Sequence, residues 1–370
     1  MRIHFMVNGM GLGHVMRDLP IMRELSKRHY VSASSYGLAL ETLRKNGYRN
    51  ATELPEVGDI ALNKDKISIG GSLLKSVRKL QPDFVNRISA LLLKERPDVV
   101  VVDGYLLGAL AAKLLGKKVV CITNCTKVWY VFPKTHVIVE RGTDLFSKAI
   151  IDVSERVIVP DFPPPFTVAA ANIDYFGQEK KFRFVGPVVD CTRAKKGKKV
   201  LISMGGTGVA SDGADIVADA IRGLGYGTVI ANGKMDMAKV RRAIAAAPFV
   251  VFHGGHTSIM EAMCSGTPVI CIPLKGYTER ENNALGAQRL GFGVVLDDEW
   301  VDRRAVELAV KMATSKRSTE AVKLLAAVAR PAQAAAEAAQ VIEEVGNNRK
   351  CGSAFRSWIK RFAHKLEDSF

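Results

Sequence analysis

Short apolar segments alternate with longer amphipathic segments along most of this chain of 370 residues. Tyr30–Ser35 and Asp98–Val102 indicate strands, and the second of these contains four consecutive valines. A continuous apolar run bounded by charges is typical of a strand that is covered on both faces, as in a parallel sheet. His14–Arg28 and Leu107–Leu115 have the pattern of helices that follow such strands. The alternation predicts an α/β fold with doubly wound parallel sheets.

The alternation stops and then starts again, which divides the chain into two versions of one architecture. Pro163–Pro165 forbids both a helix and an inner strand. A basic stretch without any pattern then occupies Arg193–Lys199, and the next strand pattern is Val200–Met204. We therefore predict an N-terminal domain of residues 1–190 and a C-terminal domain of residues 198–345.

Residues 346–370 form a basic amphipathic segment that differs from both domains. Five apolar residues share one helical face: Phe355, Trp358, Ile359, Phe362 and Leu366. Four basic residues supply the other face: Arg356, Lys360, Arg361 and Lys365. Such a helix either lies on an anionic lipid surface or docks on the body of the protein.

The chain carries a net charge of +16. This excess suits an anionic partner, which can be nucleic acid, an anionic membrane surface or a phosphorylated substrate, or it serves solubility alone. Nucleic acid is the least expected of these partners, because no aromatic–basic interleaving and no nucleic-acid module occur. Six cysteines without a Cys-x-x-Cys pair fit a reduced compartment. We expect no signal peptide and no membrane span, hence a cytoplasmic protein that is either free or peripheral on the inner face of the membrane.

A loop with glycines at alternate positions follows the first strand and ends at His14. Gly9, Gly11 and Gly13 allow a tight turn and the close approach of a ligand. The helix that begins near His14 directs its free N–H groups towards the crevice at the strand ends. The spacing differs from the dinucleotide-binding fingerprint, and no acidic residue ends the second strand. His14 either takes a proton from a hydroxyl group or is a capping or core histidine.

Asp103 ends the valine-rich strand and precedes Gly104. A carboxylate at this end of a parallel strand faces the same crevice as His14. Asp103 either orients His14 and stabilises its imidazolium form, as the acid of a catalytic triad does, or caps the next helix.

The most informative stretch is Phe252–Ala262. A buried strand pattern ends at His253, two glycines turn the chain, and Thr257 and Ser258 begin a helix. Backbone N–H groups, hydroxyls and the helix dipole together suit a diphosphate. Glu261 lies on the same helical face as Ser258, so it either accepts both hydroxyls of a ribose or forms a capping box with Ser258.

This stretch resembles the donor-site signature of the GT-B glycosyltransferases. The signature His-x-Gly-x-x-Ser-x-x-Glu-Ala corresponds to His253, Gly255, Ser258, Glu261 and Ala262. A Gly-x-Pro follows at residues 266–268, and an acid-led run ending in Asn-Ala follows at residues 279–284. The pattern is similar to that of the UDP-glucuronosyl- and glucosyltransferases. It is also similar to the family 28 enzyme that adds N-acetylglucosamine to a lipid-linked peptidoglycan precursor.

The resemblance implies two Rossmann-like domains that face a cleft, with His14 as the base, Asp103 as its supporting acid, and Gly11 and Gly13 in the acceptor-side loop. The donor-binding residues that it implies are Gly205, Gly206, Thr207, His253, Gly255, His256, Thr257, Ser258, Glu261, Glu279, Arg280 and Asn283. Arg280 stands where these families have a glutamine that contacts the donor sugar. An arginine there can pair with an acidic sugar or a phosphate.

The implied activity is that of a metal-independent inverting glycosyltransferase without a cofactor. It would move a sugar from a nucleotide-diphosphate sugar, with UDP favoured, to a hydroxyl or phosphate acceptor. No Asp-x-Asp metal motif occurs. The basic charge and the tail favour a lipid-phosphate acceptor, with a glycan as the other choice. A nucleotide-sugar hydrolase or an epimerase on the same fold are the alternatives, and the run Gly13–Arg17 resembles such a hydrolase.

Overall fold

The computed structural model describes residues 1–56, 61–63, 66–68, 84–127, 137–204, 211–231 and 235–347 of the chain. Gly205, Gly206 and Thr207, which we predict to bind the donor, lie outside the described residues, as does the tail beyond residue 347. Two parallel sheets, one from each half of the chain, confirm the predicted α/β class.

The first sheet comes from the N-terminal half. Its strands are β1 (Arg2–Val7), β2 (Tyr30–Ser35), β3 (Thr52–Glu53), β6 (Val99–Asp103), β7 (Lys118–Ile122), β8 (Arg156–Val159) and β9 (Phe182–Phe184). They pair in parallel in the order β3-β2-β1-β6-β7-β8-β9. Val99 and Val101 of β6 enter one hydrophobic core, and Val100 and Val102 enter the core on the other face. Burial on both faces explains the unbroken valine run.

The second sheet comes from the C-terminal half. Its strands are β10 (Lys199–Ser203), β11 (Gly227–Ile230), β12 (Val250–Phe252), β13 (Val269–Cys271) and β14 (Gly293–Val295). They pair in parallel in the order β11-β10-β12-β13-β14, with one hydrophobic core on each face. A separate antiparallel pair consists of β4 (Ala61–Asn63) and β5 (Lys66–Ser68).

Helices connect the strands, as the alternation predicts. Those of the first half are α1 (Leu12–Ser26), α2 (Gly37–Lys45), α3 (Phe84–Glu95), α4 (Leu106–Leu114) and α5 (Val137–Val153). Those of the second half are α6 (Ser211–Gly223), α7 (Met237–Ala246), α8 (His256–Cys264), α9 (Thr278–Arg289), α10 (Arg303–Ala313), α11 (Lys316–Val328) and α12 (Pro331–Gly346). In the described part of the chain, no helix is both long and apolar enough to span a membrane.

The last helix, α12, returns to the first sheet. Seven of its residues are buried in the same core as Ile3 and Phe5 of β1: Ala334, Ala335, Ala338, Ala339, Val341, Ile342 and Val345. The sequence pattern places these residues in the C-terminal domain of residues 198–345. In the structure they pack against the sheet of the N-terminal domain. The small side chains of α12 allow it to lie closely against α1 and the first sheet. The amphipathic pattern of α12 shows that one face is buried but not which sheet that face contacts.

Candidate active site between the two sheets

Each sheet reverses its strand order at one point, and these two points frame the candidate site. In the first sheet the reversal lies between β1 and β6, and in the second between β10 and β12. Ligands of doubly wound folds bind at the carboxyl ends of the strands at such a point. His14 lies at the start of the helix that follows β1, and Asp103 is the last residue of β6. His253 directly follows β12.

His14 and Asp103 form a hydrogen-bonded pair. Nδ1 of His14 lies 2.7 Å from Oδ1 of Asp103, whose carboxylate is fully buried, whereas the imidazole is 31% exposed. A carboxylate accepts hydrogen bonds, so the shorter contact of Nδ1 favours the tautomer with the proton on Nδ1 and the lone pair on Nε2, although Nη2 of Arg17 also lies 3.1 Å from Nδ1. This arrangement suits a base that faces the cleft.

The alternative structural roles of these two residues do not fit the geometry. His14 lies inside α1 rather than at its cap, and its ring is too exposed for a core position. Asp103 does not cap α4, because the residue that precedes this helix is Tyr105 and no side chain caps it.

Arg17, which the sequence-based prediction did not include, holds Asp103 in place. Its Nε lies 2.6 Å from Oδ2 of Asp103, a second nitrogen pairs with Oδ1, and Nη1 lies 2.6 Å from Oδ1 of Asn124. Burial opposes the charges of both Arg17 and Asp103, but their attraction outweighs it. The pKa of Asp103 therefore lies well below its usual value, and the pKa of Arg17 lies above its own. The His-x-x-Arg spacing, one helical turn, is the signal that could have revealed Arg17.

Asp18 is a second buried carboxyl group beside this pair. Neither of its oxygens has a hydrogen-bond partner among the described residues. Burial and the negative charge of Asp103 raise the pKa of Asp18 well above its usual value. These two effects favour the neutral form of Asp18, and the attraction of Arg17 opposes them.

Gly104 makes room for the imidazole of His14. It has a φ of +67°, and a Cβ atom there would lie 2.7 Å from Cε1 of His14. Only glycine satisfies both conditions without strain. Gly11 precedes α1 in an extended conformation, and Gly13 lies near Thr257 of the other half.

The N-terminal ends of α1 and α8 meet across the cleft. Oγ1 of Thr257 donates a hydrogen bond of 3.0 Å to the carbonyl of Gly13. No side chain caps either helix, so their first N–H groups and positive dipole ends are directed into the same region. Ser258 lies inside α8, whose capping residue is Gly255, and the alternative of a capping box with Glu261 is therefore wrong.

His253 is buried at the end of β12. Its Nδ1 donates a 2.6 Å hydrogen bond to the carbonyl of Ile272, and Nε2 has no partner in the described part of the chain. Burial is the main cause that lowers the pKa of His253.

Glu261 is a buried carboxyl group on α8. Its Oε1 lies 3.3 Å from Nε of Arg241 on α7, a residue that the motif does not contain. Burial raises the pKa of Glu261 to about 7, although Arg241 opposes this shift. The carboxyl group therefore changes its charge near neutral pH.

Glu279 joins the two halves of the site. Nδ2 of Asn124 donates a 2.9 Å hydrogen bond to Oε1 of Glu279. Since Asn124 also accepts from Arg17, polar contacts run from His14 in the first half to Glu279 in the second. Arg280 does not join this network, and its guanidinium lies 4.5 Å from the ring centre of Tyr277.

His256 and Asn283 are engaged in contacts that hold the chain together. Nε2 of His256 lies 3.2 Å from the buried carboxylate of Asp161. Asn283 accepts a hydrogen bond from Asn172 and donates one to the carbonyl of Gly254. Among the described residues, no group of three His, Cys, Asp or Glu side chains could hold a metal ion. Metal independence stays a prediction.

Known proteins resemble both halves of the chain. Residues 1–182 match the family Glycosyl transferase family 1, and residues 227–349 match the Glycosyltransferase family 28 C-terminal domain. A relative from Methanosarcina acetivorans is 28% identical over 326 residues, which are 80% of this chain and 86% of the relative. A relative from Methanosarcina mazei is 27% identical over 355 residues, 88% of this chain and 93% of the relative. Both are described as uncharacterized glycosyltransferases.

Solved structures share the fold. A glycotransferase of kitacinnamycin has a TM-score of 0.67 at 20% identity, and CalG4, the calicheamicin glycosyltransferase, has 0.66 at 19%; both matches cover 93% of this chain and 98% of the other. UGT2 of Phytolacca americana, solved with UDP-2fluoro-glucose and pterostilbene, has 0.64 at 15% and covers 93% and 99%. Together with the family matches, these likenesses show that the chain belongs to the GT-B glycosyltransferase superfamily and is a glycosyltransferase.

Proposed function

We propose that this glycosyltransferase transfers a sugar, with inversion and without a metal ion, from a UDP-sugar to a hydroxyl or phosphate acceptor. The observation that carries the proposal is the His14–Asp103 pair, which faces the start of α8 across the cleft. A base in one half and an anion-binding helix end in the other are the two groups that this reaction needs.

The donor assignment is supported by the second half of the site. The converging helix ends of α1 and α8 would bind the diphosphate. Glu261, three residues after Ser258 on α8, would accept the ribose hydroxyls in its ionised form. UGT2 of Phytolacca americana, which shares the fold, was solved with a UDP-sugar analogue. This likeness supports a nucleotide-diphosphate sugar as the substrate.

In the proposed reaction, Nε2 of His14 accepts the proton of the acceptor hydroxyl while the acceptor oxygen forms a bond to the anomeric carbon. The bond between that carbon and the diphosphate oxygen breaks, and its electron pair leaves with the diphosphate. Asp103 stabilises the imidazolium, and Arg17 keeps Asp103 ionised and oriented. Fixed N–H groups that stabilise the developing charge contribute about 2.7–4 kcal/mol each in other enzymes.

We propose that the acceptor hydroxyl belongs to a lipid that carries a phosphate and lies at an anionic membrane surface, which the net charge of +16 supports. Residues 350–370 would provide the contact with the lipid. In co-sedimentation with vesicles that contain anionic lipid, the full chain should be found in the pellet with the vesicles. A chain truncated after residue 347 should remain in the supernatant. Equal retention of both chains would contradict this part of the proposal.

The test of the donor and of the base measures binding and turnover separately. We expect calorimetry with UDP, GDP and TDP sugars to favour the UDP-sugars, and Glu261→Ala to weaken that binding strongly. His14→Ala should reduce kcat about 10²–10⁴-fold, because the general base is lost, and leave nucleotide-sugar affinity within about twofold.

His29→Ala is the matched control, because His29 lies beyond the far end of α1 and contacts Glu343. It should leave both kcat and affinity unchanged. Wild-type turnover by His14→Ala would refute the assignment of the base, and release of free sugar at the same rate without any acceptor would identify a hydrolase.

A further inference from the structure

The segment between β9 and β10, residues 185–198, connects the two sheets and is called the interdomain linker below. It contains Asp190, whose carboxylate contacts one arginine from each half of the chain. Oδ2 of Asp190, which lies between β9 and β10, is 2.7 Å from Nη2 of Arg23 on α1. The same oxygen is 3.2 Å from Nη1 of Arg241 on α7. One arginine from each domain thus meets a single oxygen atom of the linker.

Arg241 also reaches the site proposed for the nucleotide. Its Nε lies 3.3 Å from Oε1 of Glu261, and its Nη2 lies 4.0 Å from Sδ of Met16 on α1. The side chain of Arg241 is only 16% exposed and that of Glu261 only 5%. One guanidinium group therefore contacts the candidate ribose-binding carboxyl group, the linker and the opposite domain.

The charges around Glu261 oppose each other. Arg241 on α7 favours the ionised carboxylate, whereas burial and the charge of Asp190 favour the neutral acid. Cys264 on the same helix and Cys191 of the linker also interact with Glu261, and the charge of Arg193 acts on both cysteines. Burial has the largest effect on the charge state of Glu261, and Arg241 is the neighbour that most strongly favours its ionised form.

We propose that Arg241 is a positioning residue for donor binding, which favours the ionised form of Glu261 that accepts the ribose hydroxyls and ties Glu261 to the interdomain linker through Asp190. This inference rests on the proposed function, because it assigns Glu261 to the ribose. An ionised carboxylate accepts hydrogen bonds at both oxygens, whereas a protonated one uses one oxygen as a donor.

Two substitutions on opposite sides of Glu261 should change the pH dependence of donor binding in opposite directions. Arg241→Gln removes the positive neighbour, so ionisation of Glu261 requires a higher pH. Asp190→Asn removes the negative neighbour. Arg241 then interacts with Glu261 without a competing carboxylate, so Glu261 ionises at a lower pH. A role of Arg241 in packing alone would not produce shifts of opposite sign.

The experiment measures the Kd of UDP-glucose by calorimetry between about pH 6 and about pH 8.5. The two phosphates of UDP-glucose are diesterified, and neither titrates in this range. In the wild type, affinity should rise with pH through the pKa of Glu261. Arg241→Gln should weaken binding about tenfold at pH 7 and recover part of the loss at the upper end of the range. Asp190→Asn should bind more tightly than the wild type at the lower end.

Several controls separate this effect from others. Arg242→Gln makes the same charge change at an exposed position next to Arg241 and should match the wild type. Arg241→Lys keeps the charge and should retain most of the affinity at pH 7, which guards against a misfolded Arg241→Gln variant. The pKa of the Cys191 thiol, lowered to about 7 mainly by its hydrogen bond with Cys264, lies in the same range. The series is therefore repeated with Cys191→Ser.

The outcomes distinguish this inference from the proposed function. If Glu261→Gln removes the pH dependence of binding but Arg241→Gln and Asp190→Asn leave the midpoint unchanged, the role of Arg241 is refuted and the nucleotide site stands. If the wild type binds no UDP-, GDP- or TDP-sugar, both proposals are refuted. Shifts of opposite sign, with Arg242→Gln unchanged, support the inference.

Discussion

His14 in the N-terminal half of the candidate site and the buried His253 in the C-terminal half differ in their hydrogen bonding. In the N-terminal half, His14, Arg17, Asp103 and Asn124 are bound to one another at distances of 2.6–2.7 Å. In the C-terminal half, Nε2 of the buried His253 has no hydrogen-bond partner among the described residues.

This difference matches two different tasks. A base must be held in one orientation and one tautomer, and buried partners that satisfy each other supply that rigidity. A binding site for a nucleotide must leave donors and acceptors free for the ligand, because buried polar groups are stable only when they find partners. The first half is thus arranged for proton transfer and the second for a ligand.

Asp103→Asn tests the rigid half and has the largest expected effect. The amide no longer stabilises the imidazolium and can select the wrong tautomer, so kcat should fall about 10³–10⁴-fold with little change in donor affinity. It also leaves the buried Arg17 without its counter-charge, which should lower the free energy of unfolding by about 3–5 kcal/mol. Initial rates and urea denaturation measure these two effects.

Asp98→Asn is the control for this prediction. Asp98 precedes the other end of β6, is exposed, and accepts a hydrogen bond from the backbone of Arg2. It should leave kcat unchanged. If Asp103→Asn were as active as Asp98→Asn, the N-terminal half would not be the site of proton transfer.

Gly104→Ala should have the next largest effect. The left-handed conformation costs an alanine about 1–2 kcal/mol. The added Cβ would lie 2.7 Å from Cε1 of His14 and would have to displace the imidazole. A displacement of the base should reduce kcat about 10–100-fold, since misplacement by about 1 Å can cost 10²-fold.

Gly116→Ala separates backbone strain from displacement of the base. Gly116 has the same φ of +67°, but no atom lies within 4 Å of the position that a Cβ would take. Both variants carry the strain of the left-handed backbone, Gly104→Ala should lose more free energy of unfolding because of its overlap with His14 and Asn8, and only Gly104→Ala should lose activity. Equal kcat values for the two variants would show that the imidazole has more freedom than the comparison of the halves implies.

The sequence is sufficient to predict the fold and much of the first half of the site. Valine runs bounded by charges require a sheet buried on both faces, and residues that follow neighbouring strands must lie at the same edge. His14 and Asp103 could therefore be paired before their 2.7 Å separation was known. Helix α12 could not be placed, because its small apolar side chains fit against either sheet.

The partners that fix the charges could not be predicted in this way. Arg17 contacts Asp103 from 86 residues away and Asn124 from 107 residues away. Arg241 and Glu261 lie on different helices, and neither periodicity nor a motif joins them. Side-chain pairs between distant segments depend on how the helices and strands pack within each domain, and a single sequence carries little local signal of that packing.

Thr257→Val tests the contact that joins the two halves and has the smallest expected effect. The substitution keeps the shape of the side chain and removes the hydrogen bond to the carbonyl of Gly13. A neutral hydrogen bond contributes about 0.5–1.5 kcal/mol, so KM for the donor should rise by a factor of about 2–10 with kcat nearly unchanged. Thr257→Ser keeps the hydroxyl and should behave as the wild type. A fall in kcat equal to that of Gly104→Ala would mean that the second half also orients the base, and the division of tasks between the halves would not hold.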